Sequence, residues 1–209
     1  MTAIYIALEG PDGVGKSTVA AALKELLLKR TPAPFPNVRI RHFPTDVLTA
    51  CADNEGYCLT AEDYALDMEN WLFLRPESVL FPDTPNEEQP ETLYILDRWA
   101  LSTAVYASLR NERIAGGLAL TLNWLNSVPL ATFVLLPRDP ALLTDPDYGA
   151  DNGTEDDYDP LRVTEAYLRA VECALGSRTL TPITVDRARD TPGSVVADIV
   201  ERLTIMGAL

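Results

Sequence analysis

The stretch that decides the fold is Ala3-Ile4-Tyr5-Ile6-Ala7-Leu8-Glu9-Gly10-Pro11-Asp12-Gly13-Val14-Gly15-Lys16-Ser17-Thr18. It opens on an unbroken apolar run, the pattern of a strand buried on both faces. Gly10, Gly15, Lys16 and Ser17 then complete G-x-x-x-x-G-K-[ST]. Glycines let successive backbone N–H groups turn inward around a polyphosphate, and the N-terminus of a following helix adds partial positive charge. Val19, Leu23, Leu26 and Leu27 recur at helical spacing behind the loop, with Lys29 and Arg30 at the end where the helix dipole favours cations. Strand, loop and helix together form a phosphate-binding unit. Gly13, Val14, Gly15, Lys16, Ser17 and Thr18 are its cradle, Lys16 reaches the terminal phosphates, and the Ser17 hydroxyl is placed to ligate Mg²⁺, which prefers oxygen donors and bound phosphate.

Composition narrows the partners. The 209 residues, 47% of them hydrophobic, suit one α/β domain over residues 1–209. Seventeen basic against thirty-one acidic side chains leave a formal charge of −14, which repels a nucleic-acid backbone and points to small molecules and Mg²⁺ instead. Cys51, Cys58 and Cys173 form no C-x-x-C pair, and their odd number fits reduced thiols. With no secretory leader evident and no apolar run near the roughly 18 residues a membrane span needs, the expected location is the cytoplasm, with no membrane partner.

Further along, residues 38–43 alternate like a strand with one polar face, and Pro44 ends them. A helical stretch is expected over residues 60–81, followed by an acidic, Pro-rich loop. Leu93-Tyr94-Ile95-Leu96 reads as a second buried strand ending at Asp97-Arg98, where a parallel sheet presents residues to its ligand crevice. A long helical region interrupted at Gly116-Gly117 follows to residue 128, then a third buried strand over residues 132–136 and a fourth over residues 183–186. Helices are expected at residues 160–175 and 193–206. Alternating strands and helices imply a parallel sheet with right-handed crossovers. Residues 141–159 are too acidic and Gly-rich for core and read as a lid or a disordered segment.

Several of these segments together resemble thymidylate kinases. Residues 9–18 look like that family's E-G-x-D-G-x-G-K-[ST]-T, and Asp97-Arg98-Trp99 with Ser102 and Tyr106 is similar to its D-R-Y-x-x-S-x-x-A-Y, with Trp99 for Tyr and Val105 for Ala. His42-Phe43-Pro44 sits where the family has R-F-P or R-E-P, and Trp71 with Arg75 keeps the spacing of its F-x-x-x-R helix. The resemblance implies a phosphate-loop NTPase fold of three layers, a parallel sheet of about five strands between helices, with a lid at about residues 139–160. It implies transfer of a phosphoryl group from ATP to dTMP, with Mg²⁺ as cofactor, and pairing as a homodimer.

The same resemblance suggests residue roles. Asp12 accepts a hydrogen bond from the deoxyribose 3′-OH. Arg98, whose planar fork suits phosphate oxygens, holds the acceptor monophosphate, or else forms a structural ion pair. Asp97 holds Mg²⁺ with Ser17, or caps the next helix. Phe43 lines the acceptor pocket, Trp71 stacks on the base and Arg75 bonds its edge, although an aromatic on a helix also suits a core. Tyr158 crowds the sugar's 2′ position or is solvated. Phosphoryl transfer also needs cations on the γ-phosphate, yet residues 11–14 contain no Arg and residues 139–161 contain neither Arg nor Lys. Arg138 and Arg162 flank the lid, and Arg162 is the catalytic candidate. Ala107 stands where many bacterial relatives carry a thymine-reading Gln, so a kinase of another base, or a regulatory nucleotide-binding module, stays open.

Overall fold

The structure is a computed structural model that describes residues 4–30, 32–42, 92–110, 130–144, 159–173, 180–186 and 188–209. The strand expected at the apolar run of residues 3–8 is β1, Ile4–Glu9. The others are β2 (Asn37–His42), β3 (Thr92–Asp97), β4 (Ala131–Pro137) and β5 (Leu180–Val185). All pair in parallel, in the order β2-β3-β1-β4-β5.

The side-chain period of two in each strand builds the two halves of the core. Ile6, Leu8, Leu93, Ile95, Phe133 and Leu135 face α1 (Lys16–Lys29), which contributes Val19, Leu23 and Leu27, and the C-terminal helix at Pro192–Ile205, which contributes Val195, Ile199 and Leu203. The alternate residues, Ala7, Tyr94, Leu96, Val134 and Leu136, face α2 (Ala100–Arg110) and α3 (Pro160–Cys173) through Leu101, Val105, Val163 and Tyr167. The C-terminal helix is α4. Helices on both faces explain why β3 and β4 are buried along their whole length and read as continuous apolar runs. The fold class expected from the sequence is the one observed.

Two sequence expectations are corrected. The last strand begins at Leu180, not at Ile183, because Pro182 sits in β5 at the sheet edge, where its missing N–H costs no ladder bond. The stretch after β4 is not all solvent-facing. Pro140–Thr144 forms a 3₁₀ turn whose Leu143 is buried in the α1-side core and lies against Gly13. Trp99, which stands for the family's Tyr, is fully buried in the core on the α2–α3 side. The expected helix at residues 60–81, the Gly116-Gly117 break and residues 145–158 of the lid lie outside the described residues. No helix of the described residues is long and apolar enough to cross a membrane.

Candidate active site

The site forms where β1 and β3 end side by side, with Leu8 opposite Asp97. Three glycines shape the loop after β1. Gly10 has φ 137°, and a Cβ there would lie 2.2 Å from the Leu135 carbonyl oxygen, so the loop crosses β4 with no room for a side chain. Gly13 and Gly15 are also left-handed, with φ 75° and 97°. Gly15 precedes α1 without any side-chain cap. At α4, by contrast, Thr191 and Ser194 form a reciprocal capping box behind Pro192. The first N–H groups of α1 are therefore left for a ligand of opposite charge.

Lys16 is buried, and its Nζ donates to the Pro11 carbonyl at 2.8 Å. Burial, reinforced by the charge of Arg98, pushes its pKa down to about 8, against the pull of Asp12, Asp97 and Glu9. Ser17 Oγ donates to Asp97 Oδ2 at 2.5 Å, and His42 Nδ1 lies 3.0 Å from the same oxygen. Asp97 is thus engaged with Ser17 at the start of α1 and with His42 at the end of β2. Among the described residues no cluster of three His, Cys, Asp or Glu side chains forms a metal cage. One hydroxyl and one carboxylate in contact are nonetheless the donor set expected for Mg²⁺, which keeps waters and substrate phosphate as its remaining ligands.

Arg98 turns the chain from β3 into α2 with φ 73°, unusual for a residue with a Cβ. Its N–H donates to the Leu8 carbonyl at 2.9 Å. Its guanidinium forms an ion pair with Asp12 and stands 5.3 Å from the centre of the Tyr106 ring. Tyr106 donates from its hydroxyl to the other Asp12 oxygen at 2.7 Å. Burial alone would raise the pKa of Asp12, but Arg98, then Lys16 and the Tyr106 bond, hold it below the usual carboxylate value. Asp12, expected to meet a sugar hydroxyl, and Arg98, expected to hold a phosphate or form a structural ion pair, hold each other in this structure.

Glu9 carried no assigned role, yet it is fully buried. Its carboxylate accepts the Leu101 N–H at 3.0 Å, the Ser102 N–H at 3.2 Å and the Ser102 hydroxyl. Burial drives its pKa up to about 7 despite these bonds and the charges of Arg98 and Lys16. The signal for this role was present in the sequence: an acid ending an apolar buried strand has to be partnered. Arg162 is exposed on the first turn of α3, and Arg138 is tied to Asp186 at 3.1 Å. Phe43, Trp71, Arg75 and Tyr158 lie outside the described residues.

The fold and this loop define the class of phosphate-loop α/β proteins. Within it, the chain has the fold of the thymidylate kinases. It is similar to the thymidylate kinase of Candida albicans at 17% identity and TM-score 0.56, covering 99% of this chain and 93% of that one. It is similar to the thymidylate kinase of Ehrlichia chaffeensis at 18% identity and TM-score 0.55, covering 98% and 100%. No family model and no curated protein matches the sequence.

Proposed function

We propose that the protein is a nucleoside monophosphate kinase that transfers the γ-phosphate of ATP to a pyrimidine deoxynucleoside monophosphate, with dTMP the leading acceptor. The observation that carries this reading is the adjacency of two anion grips. The uncapped start of α1 with Lys16 lies beside an arginine fork at the end of the neighbouring strand. A plain nucleotide binder needs only the first.

In this reading the N–H groups of residues 13–18 and Lys16 hold the β and γ phosphates. Ser17 and Asp97 would hold Mg²⁺, which would supply positive charge against the developing phosphate charge. Arg98 keeps one edge on Asp12 and offers its other N–H donors to the acceptor phosphate. An acceptor phosphate oxygen forms the new bond to Pγ as the bond from Pγ to the β-bridging oxygen breaks, leaving ADP and the nucleoside diphosphate. Phe43, Trp71, Arg75 and Tyr158 are proposed for the acceptor's base and sugar on the resemblance alone. Arg162 is proposed as the cation for the γ-phosphate, since Arg138 is already engaged with Asp186.

A substrate panel tests the reading. ADP release dependent on dTMP, lost by about a hundredfold or more in Lys16→Ala, is expected. Preference for a purine monophosphate or an unphosphorylated nucleoside refutes dTMP, and an Arg162→Ala variant with unchanged turnover removes that candidate. The absence of Lys and Arg over residues 139–161 favours a second reading, a nucleotide-binding regulator without transfer. ATP binding with no acceptor-dependent ADP release would support it.

A further inference from the structure

The proposed function makes Arg98 the group that meets the acceptor's anion, and the inference here rests on that reading. Only Arg98 and Trp99 connect β3 to α2, and β1 holds this short turn from two sides. The Leu8 carbonyl accepts the Arg98 N–H, and the Glu9 carboxylate accepts the first N–H groups of α2. A serine has a single hydroxyl proton, and that of Ser102 goes to Glu9. The Tyr167 hydroxyl, 2.7 Å away, is therefore the donor to Ser102 Oγ. The remaining lone pair of that oxygen faces Arg98 Nη1 at 3.5 Å.

Ser102 Oγ is thus the point where α3, the end of β1 and the guanidinium meet. Tyr167 is fully buried among Trp99, Leu101 and Val105, where a phenylalanine ring would fill nearly the same volume. Packing does not call for its hydroxyl. Among the described residues, the hydroxyl bonds the serine that touches both Glu9 and Arg98. We propose that Tyr167, acting through Ser102 and Glu9, is a positioning residue that fixes the orientation of the Arg98 guanidinium toward the acceptor phosphate.

The test uses the full chain with Tyr167→Phe, Ser102→Ala and the double variant, dTMP as the probe, and calorimetric binding beside steady-state kinetics with ATP and Mg²⁺. Tyr167→Phe should weaken dTMP about threefold to tenfold, the effect of one hydrogen bond lost from an anchoring group. The KM for ATP should change less than about twofold, and the double variant should be little worse than the weaker single, because both break one relay. In an Arg98→Ala background, Tyr167→Phe should have no further effect on dTMP. Unchanged dTMP affinity, parallel weakening of dTMP and ATP, or an undiminished effect in the Arg98→Ala background would each overturn the proposal. A wild-type chain that neither binds dTMP nor releases ADP in response to it would remove the proposed function and this inference together. A wild-type response with unmoved variants would remove the inference alone.

Discussion

Arg98 combines three constraints in one side chain: a left-handed backbone, an ion pair with Asp12 and the Tyr106 ring beneath its charge. Lysine would keep the charge but lose the planar fork and the stacking. Arg98→Lys should therefore raise the acceptor KM about tenfold, leaving the KM for ATP within about twofold, in steady-state assays with each substrate varied. Glu9 gives a prediction of a different kind. Its folded pKa is raised from 4.5 to about 7, so the folded chain binds this proton more tightly than the unfolded one. The stability gained is fully present below pH 4.5 and is lost as pH rises through about 7. The wild type should lose up to about 3 kcal/mol relative to Glu9→Gln across that interval. Thermal melts of the two chains that run parallel between pH 5 and pH 8 would contradict this.

At the level of elements, the loop between β1 and α1 depends on a backbone crossing that only glycine permits. A Cβ at Gly10 would collide with the Leu135 carbonyl at a φ of 137°, so Gly10→Ala should cost more than about 3 kcal/mol in urea unfolding, or prevent folding. Gly207 is a control. It is also left-handed, at φ 73°, but has open space around it, and Gly207→Ala should cost only about 1–2 kcal/mol. The elements legible in the sequence were those with a local cause. β1, β3 and β4 carry apolar runs because helices cover both faces, and the glycine spacing announces the loop between β1 and α1. What stayed hidden came from contacts distant in sequence. The partners of Glu9 lie 92 and 93 residues away, Asp12 meets Arg98 across 86, and Leu143 is buried by a turn within an otherwise polar stretch. Pro182 masked the start of β5 because the rule against proline in strands does not hold at an edge.

For the whole molecule, a ligand that binds only the folded chain adds its binding free energy to stability. ATP with Mg²⁺ at a hundredfold over its Kd should contribute about 2.7 kcal/mol. For a chain of this length that is a rise in Tm of roughly 5–10 °C, and Lys16→Ala should abolish it in a thermal-shift series. A formal charge of −14 makes such a gain depend on local geometry, since the molecule as a whole repels nucleotides. That geometry has its origin in the sheet order. The two grips leave β1 and β3, adjacent strands paired in register from Ile4 with Leu93 to Leu8 with Asp97. Neighbouring strands keep a separation of about 4.8 Å, so in the proposed reaction the backbone itself would act as a gauge for the gap between donor and acceptor anions. Under the proposed function, changes in the surrounding helices and loops would leave that gauge the same.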